Sequence, residues 1–248
     1  MKKTFCILGV GLLVLIIVVI VGTGMYIGPI VKIGMQELGP QIIQVPVKVD
    51  AVDVGLFNGA AQIKGLIVGN PEGYKTPQAI SVGLAAVSVD PFSVLSDKIV
   101  VRSVQVKSPQ ITFEGGLSSN NLSQIMDNVN AFSKKVLPAQ PGSKPAPKIE
   151  VDDFLITGAK VYINLRGFAS KEMTLPLPDI HLTDLGRGAN GLTPAELIQT
   201  VLKSISGETI KAVGSAVTGM AQDMQHTGTT VFKSVNGITG SISGLFKK

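Results

Sequence analysis

The stretch Val45-Pro46-Val47-Lys48-Val49-Asp50-Ala51-Val52-Asp53-Val54 (residues 45–54), with Leu56-Phe57-Asn58-Gly59 behind it, decides how the rest of the chain reads. Val45, Val47 and Val49 alternate with Pro46, Lys48 and Asp50, the two-residue period of a strand with one apolar face. The pattern resumes at Val52 and Val54 and breaks at Asn58-Gly59. That pair supplies the positive φ angles of a tight hairpin turn, so the chain is expected to double back there. A second strand through Ala61, Ile63 and Gly65 ends in Gly69-Asn70-Pro71-Glu72-Gly73-Tyr74, a loop by its glycines and proline. Third and fourth strands are predicted over roughly 79–90 and 98–107, joined by a single helical turn at Pro91-Phe92-Ser93-Val94-Leu95. A short fifth strand is predicted over Gln110–Glu114. Together they read as an antiparallel meander with one apolar side.

Outward from that block, Gly115-Gly116 ends the strand and Ser119-Asn120-Asn121 offers a helix cap. Leu122, Ile125, Met126, Val129, Phe132 and Val136 follow at helical spacing, an amphipathic helix for the sheet face. The run 138–147 is proline-rich, with the composition of a linker or loop. Strands resume over 149–157 and 160–165, read as a hairpin about Gly158-Ala159. Another short pair is predicted over 173–177 and 179–185. Thr193-Pro194-Ala195-Glu196 has the capping box and first-turn proline of a helix start, with Leu197, Ile198, Val201 and Leu202 as its buried face up to Ile205. From Glu208 onward apolar residues recur at steps of three and four, but repeated glycines weaken that helix, so it needs a surface to lie on.

At the other end, Lys2 and Lys3 precede an apolar run from Phe5 to Ile20 that continues to Ile27. Roughly 23 helical residues span about 34 Å, enough for a bilayer core, and no Ala-x-Ala cleavage site is present. Residues 1–28 are therefore expected to form a single-pass anchor, with Phe5, Leu12, Leu15, Ile16 and Val19 in the bilayer and Tyr26 at its far interface. The leading lysines place the N-terminus in the cytoplasm and the bulk of the chain beyond the membrane. Residues 29–44 read as a connector broken by Gly34, Gly39 and Pro40, with Ile30, Ile33 and Leu38 able to extend a helix past the bilayer.

The composition narrows the function. Aromatics make up 5% of residues and the net charge of +5 is scattered, a poor match to nucleic-acid binding. Cys6 is the single cysteine, so an intramolecular disulfide and a cysteine metal cluster are both excluded. His181 has no neighbouring serine, cysteine or second histidine, and reads as structural or solvated. Asp152 and Asp153 point to opposite faces of a strand and cannot share a metal or a proton. Gly65–Asn70 lacks the Lys-Ser/Thr ending of a phosphate loop. No cofactor motif or catalytic constellation emerges, and an enzyme is the weakest of the classes considered.

A basic N-terminus and apolar helix lead into Gly65-Leu66-Ile67-Val68-Gly69-Asn70-Pro71-Glu72-Gly73-Tyr74, then Ile99–Val106, Ser108–Glu114 and Asn121-Leu122. Later come Leu177-Pro178-Asp179-Ile180-His181-Leu182, Leu185-Gly186 and Leu192-Thr193-Pro194-Ala195-Glu196-Leu197. Over residues 1–205 this order resembles the AsmA-like proteins of the bacterial envelope, in a superfamily of bridge-like lipid transfer proteins. The resemblance implies an α+β fold: an N-terminal transmembrane helix, then a curved, mostly antiparallel β-sheet forming a taco-like groove. Amphipathic helices and a long C-terminal helical tail, the latter outside the matching part and read from its own periodicity, complete the expected architecture.

The expected units are an anchor (1–28), a first sheet unit with its helix (29–137), the linker (138–147), a continuation of sheet and helix (148–206) and a glycine-rich tail (207–248). On this reading Val45, Val47, Val49, Ile63 and Val82 would line a lipid groove. Leu84, Ile99, Val101, Ile111 and Phe113 would line it with them. The partner would be membrane phospholipid at the periplasmic side of the inner membrane, with self-association or an envelope protein engaging the sheet edges. The chain is short for a bridge across the periplasm. The alternative is a structural or interaction module with a closed β-sandwich. Its Gly-Asn-Pro-Glu-Gly-Tyr loop resembles water-stress type late-embryogenesis-like domains.

Overall fold

The computed structural model describes residues 27–55, 58–135, 148–165, 173–188 and 190–245. The fold is α+β: one large, open, mostly antiparallel sheet with three helices. The strands are β1 (Val47–Lys48), β2 (Ala51–Val54), β3 (Ala60–Gly69), β4 (Gln78–Val89) and β5 (Lys98–Lys107). They continue as β6 (Gln110–Gly115), β7 (Lys148–Thr157), β8 (Lys160–Leu165), β9 (Met173–Pro176) and β10 (Ile180–Leu185). The helices are α1 (27–43), α2 (Asn121–Lys135) and α3 (Pro194–Leu245).

The short strands are segments of longer bent ribbons. Both β5 and β6 lie antiparallel to β4, with Ala85 opposite Val106 and Ile80 opposite Ile111, so 98–115 is one ribbon interrupted at Ser108-Pro109. The same holds for β7–β8, parallel to it: Lys98 faces Lys148 and Gln110 faces Lys160, an unchanged offset. Strands β9 and β10 together make the next ribbon, antiparallel to β8 and β7. The hairpin expected at Gly158-Ala159 is therefore not formed. The glycine there bends a continuous ribbon, and the strand to pair with was already supplied by β5–β6. For the same reason the meander ends at β6, and the β5–β7 and β6–β8 contacts are parallel.

The bends line up across the sheet. Gly65, Ser108 and Gly158 occupy the left-handed region at φ +60°, +50° and +62°. Each falls where its ribbon leaves one run of ladder pairs and starts the next. The buried positions change phase at this crease: Val47 and Val49 give way to Val52, Leu66 and Val68 to Ile63, and Ile80 and Val82 to Ala85. The ladder pairs keep their offset across this level, so neighbouring ribbons change phase together and the same face stays apolar.

Residues expected to form a broken connector are helical. A helix start far from the sheet is not needed, because α1 runs back along β1–β2. A Cβ on Gly39 would lie 3.0 Å from the Val47 side chain, and one on Gly28 2.1 Å from the Val52 carbonyl oxygen, so glycine permits the close approach. Between them Lys32 Nζ donates to the Asp50 carbonyl at 2.8 Å. Gln44, at φ +54°, ends the helix in the left-handed conformation and its N–H donates to the Pro40 carbonyl at 2.9 Å. For α2 the cap is Asn120: its Oδ1 accepts the Ser123 N–H at 2.9 Å and Ser123 Oγ accepts the Asn120 N–H at 3.0 Å. At α3 the expected box is present, with Thr193 Oγ1 accepting the Glu196 N–H at 3.2 Å and Glu196 Oε2 accepting the Thr193 N–H at 2.7 Å. That helix runs through the boundary drawn at residue 206, so the tail begins as its continuation.

Leu122, Ile125 and Val129 of α2 and Ala195, Ile205 and Val213 of α3 join the same core as the apolar sheet face. Two polar contacts lace the helices: Asn128 Nδ2 donates to the Ile43 carbonyl at 3.0 Å, and Gln199 Nε2 to Asn130 Oδ1 at 2.6 Å.

Candidate functional site: the apolar sheet face and its rim

Reading the ladder pairs across the sheet gives rows of side chains. Val47, Val68, Ile80, Ile111, Val161 and Leu175 stand opposite one another in one row. Beyond the crease come Val52, Ile63, Ala85, Val106, Ile156 and Ile180. The next row is Val54, Ala61, Val87, Val104, Phe154 and Leu182. Outermost are Val89, Val101, Val151 and Leu185.

Cover changes along this series. In the first two rows most members are buried, under α2 and α3. Every member of the Val54 row is only half-buried, and in the outermost row only Val151 is fully covered. Val54, Val87, Val89, Ile99 and Val101 belong to no part of the packed core. They form an aliphatic rim at one end of the filled face.

The residues singled out for a groove separate accordingly. Val45, Val49, Val82, Ile111 and Phe113 are buried, and Val47 and Ile63 pack partly covered against the core. Ile99 and Val101 lie on the rim. Leu84 is on the opposite face, 41% exposed, because the phase change at the crease reverses the alternation its assignment assumed. Phe5, Leu12, Leu15, Ile16, Val19 and Tyr26 lie outside the described residues, as does the linker 138–147. Among the described residues no helix is long and apolar enough to cross a membrane.

The polar groups are engaged in pairs. His181 Nε2 lies 2.5 Å from Asp153 Oδ1, with both side chains exposed. Arg102 bridges Asp152 at 3.0 Å and Asp90 at 2.8 Å. The Arg102 hydrogen bond holds the Asp90 carboxyl below its usual range. Lys98 pairs with Glu150 across the parallel strands. Among the described residues no three His, Cys, Asp or Glu side chains stand together as a metal site would require.

A buried polar clamp escaped the sequence reading. Glu114, in the β6 row end, accepts the Lys75 N–H at 2.7 Å and two Thr76 donors. Asn121 accepts the Glu114 N–H at 3.0 Å and donates to the Thr112 carbonyl and Asn70 Oδ1, each at 2.7 Å. The available signal was one acid inside Gln110-Ile111-Thr112-Phe113-Glu114, in an otherwise apolar, inward-reading strand, since a buried acid must find donors elsewhere in the fold. The clamp ties the 70–76 loop and the start of α2 to β6, at the end away from the rim.

No protein-family model matches this chain, and no curated protein matches it.

Proposed function

We propose that this is a membrane-tethered, lipid-contacting protein of the cell envelope, in which the aliphatic rim shelters the ends of acyl chains next to the bilayer. The reading combines the apolar run Phe5–Ile27, taken as the anchor, with the AsmA-like order of strands and turns. In the finer form of this proposal the anchor sits in the inner membrane, the sheet faces the periplasm and the protein takes part in lipid transport or homeostasis. The single observation that carries it is the half-covered strip Val54, Val87, Val89, Ile99 and Val101, beside an otherwise filled face. An aliphatic strip left against water costs about 25 cal/mol for each Å² and favours an apolar partner. With α2 and α3 occupying the rest of the face, the proposed role is local capture at the rim, with no continuous channel along the sheet.

A photo-crosslinking amino acid placed at Val89 of the full chain, in membranes carrying radiolabelled phospholipid, tests this. Label is expected at Val89 and not at Leu84 on the outer face. Equal labelling at the two positions would favour the second reading, a structural module that engages a protein partner. The burial of Ile111, Phe113 and Val161 beneath the helices is the observation favouring that reading.

A further inference from the structure

We infer that the turn between β4 and β5 is a second, peripheral membrane contact that dips into the headgroup region of the bilayer. This rests on the anchor reading above. The turn is a short 3₁₀ segment, Ser93–Leu95, preceded by Pro91-Phe92. Phe92 is 88% exposed, Leu95 93% and Val94 54%, an arrangement that stability does not require of a five-residue turn. The turn is well built: the Phe92 N–H donates to Asp90 Oδ1 at 3.0 Å, Ser93 Oγ to the Asp90 carbonyl at 2.7 Å, and Ser93 Oγ accepts the Val100 N–H at 2.9 Å. These bonds tie the turn to itself and to the start of β5 while its large apolar side chains are left exposed.

Its position names the occupant. The turn joins the ends of β4 and β5 beside the Val89–Val101 pair, at the rim end of the sheet. Helix α1 reaches the same end. From Gly39 beside Val47, through Lys32 at Asp50, to Gly28 beside Val52, it travels toward the rim as it is followed back to its N-terminus. The chain that enters α1 there is the apolar run ending at Ile27. Ile30, Val31 and Ile33 on the first turns of α1 are also exposed, at 64%, 40% and 58%. Two elements remote in sequence thus present apolar side chains at the end from which the anchor would leave. Asp90 and Lys98 flank the turn but are paired with Arg102 and Glu150. Asp97, between the turn and β5, is exposed, and headgroups can solvate it. A bilayer surface fits such a tip: aliphatic and phenyl groups sink below the headgroups while the self-bonded backbone stays at the interface.

The protein contains no tryptophan, so Phe92→Trp creates a single reporter. The full-length variant is reconstituted into phosphatidylcholine vesicles with ordinary or brominated acyl chains. Tyr162→Trp, on the outer sheet face, is the reference, and Leu95→Trp a second reporter in case the first fails to fold. Retention of the chain in the vesicle pellet at alkaline pH reports the anchor separately. Emission from Phe92→Trp is expected to be blue-shifted and to fall roughly twofold or more with brominated lipid, as for an indole just below the headgroups, while the reference does not change. Quenching no greater than the reference, in a chain that stays with the vesicles, overturns the turn contact and leaves the anchor standing. Blue-shifted but unquenched emission means that a second copy or another protein covers the turn, and also overturns the bilayer. Quenching in a chain that alkali removes sustains the turn contact and overturns the anchor.

Discussion

Glu114 Oε2 accepts both the backbone N–H of Thr76, at 2.9 Å, and its hydroxyl, at 2.6 Å. Glu114 is 4% exposed, so these bonds, with the one from the Lys75 N–H, replace the hydration of its carboxylate. Glutamine keeps the shape but turns one acceptor oxygen into a donor facing donors. Glu114→Gln is expected to lower the unfolding free energy by about 2–3 kcal/mol, the scale of a hydrogen bond to a charged group. Urea denaturation followed by circular dichroism checks it. A midpoint equal to the wild type would show that water already satisfies the carboxylate.

The crease makes a separate demand. Gly65 has φ +60°, and a Cβ there would fall 1.9 Å from Asp50 Oδ2. Alanine would incur about 1–2 kcal/mol for the left-handed backbone, with displacement of the Asp50 carboxylate added. Gly83→Ala, a glycine with open space at the Cβ position, is the comparison and is expected to change stability by under about 1 kcal/mol. Equal losses in the two variants would mean that the crease is not fixed by backbone conformation.

How much of this the sequence showed depends on the distance over which each signal acts. The Asn58-Gly59 turn, the one-turn link at 93–95, α2 and the α3 capping box are local, and each stands where its residues place it. The parallel pairing of β5–β6 with β7–β8 is not local: Gly158-Ala159 has the same composition whether the chain reverses or only bends. The alternation rule failed at Leu84 for a related reason, since the level at which β4 changes phase follows its pairing with β3 and not its own composition. Helix α1 was obscured because Gly34, Gly39 and Pro40 lower helix propensity, while packing against β1–β2 offsets that cost. The clamp of Glu114 and Asn121 joins residues that only the folded sheet brings together, and the exposure of Phe92 and Leu95 is likewise a tertiary fact.

The two faces of the sheet can be told apart by truncation. Phe113 is fully buried in the core cluster that α2 completes, whereas Leu84 is on the outer face. Phe113→Ala is expected to cost about 3–5 kcal/mol through lost burial and the cavity left behind. Leu84→Ala should stay within about 1 kcal/mol, as for other surface truncations. Thermal melts of the two variants provide the check. A large loss at Leu84 would place a second packed layer on the outer face.

Acid should loosen the start of α3 before it unfolds the sheet. The Thr193 backbone N–H, with the Thr193 hydroxyl second, holds the Glu196 carboxyl below its ordinary value, the bonds of the capping box outweighing partial burial. A carboxyl whose folded value is depressed stabilises the fold at pH above the unfolded value, near 4.3 for glutamate, and that contribution disappears as pH falls through the lower folded value. Because Glu196 is exposed, solvent screens the effect, which should be a modest shift in helix content rather than global unfolding. In Glu196→Gln the step below about pH 4.3 should be missing from the acid titration of helical ellipticity, with the neutral-pH signal slightly reduced. Thr193→Ala removes the hydroxyl partner but leaves the backbone N–H, so it should weaken the same step and not abolish it. A step of unchanged size in Glu196→Gln would assign the acid sensitivity of the helix to another carboxylate, with the Asp90–Arg102 pair next to be tested.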